Sequence, residues 1–327
     1  MKKFLFVVLV ALGAYYLIVS GFRTNFFSKN SENAIMISGA WALYPMTIKW
    51  AEEYQKIHPN IKIDVSAGGA GKGMADTLAR IVDIGNVSRK IYPDEIKKGA
   101  WWVPVAKDAV IPTINAANPI LKKLQSRGIT RTELINIWIT KTIQKWGEIA
   151  ACEGYECPSE ETFFINSYTR SDACGAADTL ARFLGMKQED LQGIGVYGDP
   201  GLADAVRRDT LAIGFNNINY VYDVKTRKPI PGLKPLPLDL NENGMIDPEE
   251  NFYDDLDQII KAIMDERYPS PPARDLYFVS QGRPQKKIVR EFMRWVLTEG
   301  QKYVLDSGYI PISQNKLQQA LEQLGDD

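Results

Sequence analysis

Residues 64–89 read DVSAGGAGKGMADTLARIVDIGNVSR, and this stretch decides the fold of the chain. An alternating apolar run that ends at Val65 predicts a strand. A glycine-rich turn at 68–73 follows, then apolar residues at helical spacing over 74–81 and a second strand over 83–87. Glycines let backbone N–H groups converge at a helix start, where the helix dipole is positive, so the turn suits an anion. The same pattern also fits a strand-to-helix connection that binds nothing.

The order of strand, small-residue turn and helix recurs over 34–57 and over 162–184. Alternating strands and helices predict an α/β protein with mixed sheets flanked by helices. Residues 101–115 predict two short strands joined by a turn at Lys107 and Asp108. The length of 327 residues is enough for about two domains.

Composition excludes several classes of function. The net charge is −1, which does not point to nucleic acid or to acidic lipid. His58 is the single histidine of the sequence, a poor start for a zinc site or a Ser-His-Asp triad, so we expect it to be structural.

The N-terminus has the features of a targeting segment. Lys2 and Lys3 precede an uncharged run over 4–22, so residues 1–22 are predicted to be a signal peptide or a membrane anchor, with a linker over 23–33. No small-x-small cleavage site follows the run, which favours a retained anchor. In either case the body of the chain is expected outside the cytoplasm, periplasmic or on the cell surface, since the positive residues stay inside.

Cysteine usage fits an oxidising compartment. Cys152 and Cys157 are near neighbours in an irregular stretch, so we predict a local disulfide between them. Cys174 is left over, in a turn rich in glycine and alanine.

Residues 239–250 match the twelve-residue calcium loop of an EF-hand. Gly244 takes the sharp turn at the sixth position, and no helix precedes the loop, since the preceding residues are rich in proline. The loop therefore predicts a structural calcium ion, although an acidic turn without metal is the alternative. The predicted ligands are Asp239, Asn241, Asn243, Met245 (through its backbone carbonyl), Asp247 and Glu250.

The chain resembles the phosphate-binding, periplasmic-binding-protein-like components of ABC transporters. Five stretches carry the resemblance, in the order of the family, and the strand and helix near 273–297 agree with it. The stretches are 38–54 (SGAWALYPMTIKWAEEY), 67–89 (AGGAGKGMADTLARIVDIGNVSR), 106–119 (AKDAVIPTINAANP), 168–184 (YTRSDACGAADTLARFL) and 211–221 (LAIGFNNINYV).

The resemblance implies a type II fold of two α/β lobes joined by a hinge, with an oxyanion held between them. We expect the chain to cross between lobes near 115–119 and near 268–274. Lobe one would then comprise 34–115 plus 274–327, and lobe two 116–273 with the calcium loop. The resemblance also implies a monomer that works with an ABC permease.

The resemblance implies a ligand gripped by helix-start N–H groups, short hydroxyl side chains and an arginine from the second lobe. Guanidinium groups bind oxyanions in a bidentate manner, so the two arginines suit this role. Carried over by motif, the ligand-binding positions are Trp41, Ala42, Ala70, Gly71, Ser88, Arg89, Arg170, Cys174, Gly175 and Ala176.

The sequence departs from the family at four of these positions. The family usually carries a hydroxyl residue where this chain has Trp41, Ala70, Cys174 and Ala176. A charge-assisted hydrogen bond contributes roughly 1.5–3 kcal/mol, so the replacement affects the choice of anion. Backbone N–H donors survive any such substitution.

Three functions follow from these observations. The first is a solute-binding protein that delivers phosphate or another oxyanion to a permease. The second is an anchored relative that serves as a sensor or partner-binding module with an altered ligand. The third is an enzyme with Cys174 as nucleophile at a helix start; the absence of a nearby histidine base argues against it, and we expect no enzyme.

Overall fold

The computed structural model describes residues 33–150 and 163–325. The predicted signal peptide or anchor and the predicted Cys152–Cys157 disulfide lie outside these residues. Within the described ranges, no helix combines the length and the apolar character needed to cross a bilayer.

Strands and helices alternate along most of the chain. The strands are β1 Ala34–Gly39, β2 Lys62–Ala67, β3 Ile84–Val87, β4 Ala100–Asn115, β5 Ile129–Thr130, β6 Asn166–Arg170, β7 Ile194–Val196, β8 Ala212–Asn217, β9 Leu233–Pro235, β10 Leu238–Asp239 and β11 Ala273–Gln281. The helices are α1 Tyr44–Ile57, α2 Ala70–Leu78, α3 Pro93–Lys97, α4 Leu121–Arg127, α5 Arg131–Trp138, α6 Trp146–Ala150, α7 Gly175–Phe183, α8 Gly198–Arg208, α9 Leu256–Met264, α10 Lys287–Leu297 and α11 Gln314–Leu324.

One mixed sheet runs through the molecule in the order β2-β1-β3-β11-β4-β8-β6-β7, with β9 also paired to β4. Strands β1, β2 and β3 are parallel, as are β6, β7 and β8, whereas β11 is antiparallel to both β3 and β4. A separate pair joins β10 to β5. The predicted α/β class with mixed sheets is confirmed.

Strand β4 corrects the sequence-based prediction of two strands with a turn at Lys107 and Asp108. It runs without a turn for 16 residues, and it pairs with β11 along its first part and with β8 along its second. Adjacent Lys and Asp residues are typical of a turn, but Asp108 is fully buried against an arginine that lies 166 positions further along the chain. The polar pair is thus part of a tertiary contact.

Strands β4 and β11, at the centre of the sheet, each contribute residues to two large apolar cores. Ala106 of β4 packs in the core built on β1 and α1, whereas Ala109 packs in the core built on α7 and β8. On β11, Ala273 belongs to the second of these cores and Leu276 to the first. We therefore propose that β4 and β11 are themselves the crossings between lobes, which moves the first crossing ahead of the expected 115–119.

A buried ion pair ties the two crossing strands together. The Arg274 guanidinium donates to both carboxylate oxygens of Asp108, at 2.8 and 3.1 Å. It also donates to Thr179 Oγ1 on α7 at 2.9 Å and to the Asn217 side chain at the end of β8. One guanidinium thus links both crossings to the second lobe.

We expect Asp108→Asn to lower the free energy of unfolding by about 3–5 kcal/mol, because it leaves Arg274 buried without its carboxylate. Urea unfolding followed by circular dichroism measures the change. Asp64→Asn is the matched control: it removes an exposed pair with Lys62 on β2, and it should cost less than about 1 kcal/mol. Equal urea midpoints for the two variants would contradict this role of the buried pair.

Candidate functional site

The predicted positions of lobe one lie at the carboxyl ends of three neighbouring strands. Trp41 and Ala42 follow β1, Ala70 and Gly71 begin α2 after β2, and Ser88 follows β3. The turns are joined by backbone hydrogen bonds, since the N–H groups of residues 68 and 69 both donate to the carbonyl that ends β1, at 2.9 and 3.0 Å. The parallel sheet therefore brings these positions to one edge, as is typical of ligand sites in α/β proteins.

The predicted positions of lobe two lie in one turn between β6 and α7. Arg170 is the last residue of β6, and Gly175 and Ala176 begin α7. Cys174 caps this helix, because its sulfur accepts a 3.4 Å hydrogen bond from the N–H of Ala177. The turn thus presents a helix start next to an arginine.

The structure brings the two turns into direct contact. The Gly71 N–H donates to the carbonyl oxygen of Ala173 at 3.0 Å, which joins the start of α2 to the turn before α7. Gly175 lies so close to Ser88 that a Cβ there would be 2.2 Å from the Ser88 carbonyl oxygen. Any side chain at Gly175 would collide with Ser88, so the close contact between the two turns requires glycine at this position.

Gly69, in the first lobe, also lies close to the turn of the second lobe. Its φ of +91° is a left-handed conformation that favours glycine, and an added Cβ would lie 2.8 Å from a carboxylate oxygen of Asp172. The Asp172 carboxylate therefore lies at the contact between lobes, beside the predicted ligand positions.

Trp41 lies between the lobes. Its backbone carbonyl accepts a 3.1 Å hydrogen bond from the Tyr220 hydroxyl, and its ring meets Tyr197 edge-on at 6.3 Å between centroids. Its indole packs beside Gly198, where a Cβ would come within 3.3 Å of the ring. The Nε1 atom is buried and has no acceptor among the described residues. Trp41 thus supplies an unused hydrogen-bond donor at the lobe contact.

Arg170 is fully buried and already paired with two carboxylates. It donates to Asp172 through Nε at 2.8 Å and Nη2 at 2.6 Å, and to Asp199 through Nη1 at 2.6 Å. Burial lowers the pKa of Arg170, but the charges of Asp199 and Asp172 outweigh it, so the pKa is raised. These bonds use three of the five guanidinium N–H groups, and the other two have no acceptor among the described residues.

Arg89 has a different environment from the one its motif implies. It forms a bidentate ion pair with Glu95, at 2.7 and 3.0 Å, and lies over the ring of Tyr92. It lines a cavity at the lobe boundary, and Arg170 is not part of that lining. The two predicted arginines therefore do not share this cavity.

Cys174 is buried and unsuited to act as a nucleophile. Burial raises the pKa of its thiol to about 12, and the opposing charge of Arg170 does not reverse the shift. The thiolate is the reactive form of cysteine, and at neutral pH almost every molecule carries Cys174 as the unreactive thiol.

The sequence-based prediction missed three residues that lie at the lobe contact. Asp172 could have been predicted from the sequence, because it follows Arg170 by two residues in a tight turn. Asp199 and Tyr220 reach the site from α8 and from the turn after β8, and no local pattern marks them. Their role depends on how β8 packs beside β6.

Two α/β lobes joined by two crossing strands, with helix starts from both lobes at their contact, define a two-lobed binding protein. Residues 28–299 match the profile of the PBP superfamily domain, and the chain belongs to this family. The predicted resemblance is confirmed.

Similar proteins and structures agree with this membership. The chain is 24% identical to the phosphate-binding protein PstS of Bacillus subtilis, over 97% of each chain. It is also 24% identical to PstS of Methanocaldococcus jannaschii, over 88% of this chain and 85% of that protein. A phosphate ABC transporter substrate-binding protein from Clostridium perfringens, solved with bound phosphate, aligns with a TM-score of 0.67 at 20% identity, over 86% of this chain and all of that one. The ABC-type phosphate transport receptor of Vibrio cholerae aligns with a TM-score of 0.59, also at 20% identity, over 85% of this chain and all of that one. The predicted two-lobed fold is confirmed.

We expect Cys174 to react with iodoacetamide at pH 8 about a thousandfold more slowly than an ordinary thiol of pKa about 8.5, because of its raised pKa. Mass spectrometry of a Cys152→Ser/Cys157→Ser variant measures this rate on Cys174 alone. The same variant in urea is the control and should be labelled at the ordinary rate. Rapid labelling of the folded protein would show a reactive thiolate.

Proposed function

We propose that the chain is an extracytoplasmic solute-binding protein that captures phosphate or a related oxyanion between its lobes for an ABC permease. The observation that carries this proposal is the meeting of helix starts from both lobes beside Arg170. Helix starts and a guanidinium together form an anion site. The names of the similar PstS proteins support phosphate as the ligand.

Hydrogen-bond donors compensate for the replaced hydroxyl residues. The starts of α2 and α7 supply backbone N–H groups, and Arg170 retains two unused N–H groups. The indole N–H of Trp41 is a buried donor in need of an acceptor. An oxyanion that accepts from it would relieve an unsatisfied group worth about 1–3 kcal/mol.

The carboxylates of Asp172 and Asp199 favour an anion that carries a proton. The two carboxylates and the one guanidinium of Arg170 sum to a negative charge, which disfavours a fully ionised ligand. A carboxylate oxygen can accept a hydrogen bond from a P–OH group, whereas sulfate at neutral pH has no such donor. This argues for phosphate over sulfate.

Capture would close the lobes by a hinge motion about β4 and β11. We propose that the protein acts as a monomer outside the cytoplasmic membrane, with its N-terminal segment either cleaved or kept as a tether. The transport names of two solved neighbours, a phosphate ABC transporter substrate-binding protein and an ABC-type phosphate transport receptor, favour delivery to a permease over a sensor role. We propose no enzymatic activity, in agreement with the protonated thiol of Cys174.

We expect the purified protein to bind phosphate with a Kd below about 1 µM, and sulfate at least about a hundredfold more weakly. Isothermal titration calorimetry measures both. Trp41→Phe keeps an aromatic ring but removes the N–H donor, and it should weaken phosphate binding about tenfold or more. Arg170→Lys should weaken it further, since it loses the planar fork.

Arg208→Ala is the matched control. Arg208 is an exposed arginine of α8, paired with Asp204, and its removal should leave the phosphate affinity unchanged. An absence of heat at millimolar phosphate would overturn the proposal. It would favour the alternative of an anchored sensor or partner-binding module with an altered ligand.

We also propose that the loop over 239–250 binds a structural calcium ion. Its side chains turn inward: the Asp239 carboxylate accepts from the N–H of Gly244 at 2.8 Å, and the Glu250 carboxylate accepts from the N–H of Leu240 at 2.8 Å. Asp239 and Glu250 are both buried, and neither forms an ion pair with a described basic residue. Buried carboxylates without a counter-ion are costly, and calcium would supply the missing charge.

Binding would require the two asparagine amides of the loop to rotate. Asn241 and Asn243 donate their amide N–H groups to Asp247, at 2.8 and 2.9 Å. In the part of the chain that the structure describes, no three or more acidic, His or Cys side chains are grouped as a metal site. Rotation of both amides would present their oxygens, which are calcium ligands in such loops.

We expect calcium at about a hundredfold its Kd to stabilise the protein by about 2.7 kcal/mol. A rise in the thermal unfolding midpoint on adding calcium chloride, reversed by a chelator, measures this. Glu250→Gln should abolish the rise, whereas Glu249→Gln, an exposed neighbour, should retain it. An equal response of the wild type and Glu250→Gln would overturn the calcium proposal.

A further inference from the structure

A second group of cations lies at the lobe boundary, in a cavity of about 280 Å³. This cavity, which we call the hinge cavity, takes its lining from both crossing strands and from both lobes. Asp275 is the only carboxylate among its described lining residues. Its basic residues are Arg89, Lys90, Lys107, Arg182, Arg274 and Lys316.

Three of these six cations are already neutralised by ion pairs. Only the Lys316–Asp275 pair has both partners in the cavity lining. Glu95 and Asp108 neutralise their arginines from outside the lining, so the three paired cations add little net charge to the cavity. The pairs are Arg89 with Glu95 at 2.7 Å, Arg274 with Asp108 at 2.8 Å, and Lys316 with Asp275.

The other three cations carry the excess charge. Lys90, Lys107 and Arg182 form no ion pair with any carboxylate of residues 33–150 or 163–325. Lys90 lies in the loop after β3, Lys107 on β4 and Arg182 on α7, so chain connectivity does not force them together. Three unpaired positive charges around one concave surface raise the local concentration of anions.

The hinge cavity is separate from the Arg170 turn. Cys174 caps the start of α7, whereas Arg182 lies in its last turn, which is about 12 Å along the helix axis. Neither Arg170 nor Trp41 contributes to the lining of the hinge cavity.

We propose that the hinge cavity binds a small anion with two or three phosphoryl groups, of the inorganic diphosphate class. An excess of three positive charges matches such an anion better than a single phosphate. The volume is just below the range of about 300–1,000 Å³ that is typical of small-molecule sites, so a compact ligand fits. Arg182 can bind a phosphoryl group in a bidentate manner, and Lys90 and Lys107 contribute point charges.

The test is a titration of the full chain with inorganic diphosphate in calcium-free buffer, with orthophosphate kept at saturation. We expect a saturable heat that Lys90→Gln/Arg182→Gln weakens at least about tenfold. Both residues are exposed, so the variant should fold, and an unchanged unfolding midpoint checks this. Lys225→Gln/Lys261→Gln removes the same charge from exposed lysines of the second lobe and should leave the affinity within about twofold of wild type.

Three results would overturn this proposal. The first is the absence of saturable heat. The second is an equal loss of affinity in both double variants, which would indicate a general effect of net charge. The third, from a parallel titration without orthophosphate, is heat that appears only when orthophosphate is absent and that the Lys90→Gln/Arg182→Gln variant retains, which would place diphosphate in the Arg170 turn. Failure of orthophosphate to bind at all would affect the proposed function and leave the comparison of the double variants valid.

Discussion

The two lobes depend on the antiparallel pairing of β4 with β11 and on the buried ion pair that it carries. Asp108 and Arg274 face each other where both strands leave one apolar core and enter the other. Removing both charges from water is costly, and the pair is tolerated because the Arg274 guanidinium also donates to Thr179 and Asn217. The crossings are thus held in register by polar contacts between the two apolar cores.

The same arrangement sets the chemistry at the lobe contact. Three parallel strands of lobe one bring their turns to one edge, and the turn after β6 faces them with Arg170. Because this guanidinium is held by two carboxylates, its direction is fixed before any ligand arrives, which reduces the ordering needed on binding. The cost is a negative local charge, which backbone donors and the Trp41 indole would offset in the proposed site.

The distribution of charge also separates two regions of the boundary. Around Arg170 the carboxylates outnumber the guanidinium, whereas the hinge cavity has cations in excess. Arg89 shows how the fold divides them: its motif groups it with Arg170, but Glu95 and Tyr92 hold it on the side of the hinge cavity. The ligands proposed for the two regions differ in charge accordingly.

The sequence by itself determined the α/β class, the three strand–turn–helix units and the position of the loop over 239–250, because periodicity and turn residues act over short distances. It also placed Arg170 and the glycines of the predicted site. Only the tertiary structure decided that β4 is one continuous strand, that Asp199 reaches Arg170, and that Arg89 faces another cavity. Each of these depends on a partner far away in the chain, and local patterns carry no information about such partners. Asp108 illustrates the limit, since its neighbours indicate a turn and its distant partner makes it part of a buried strand.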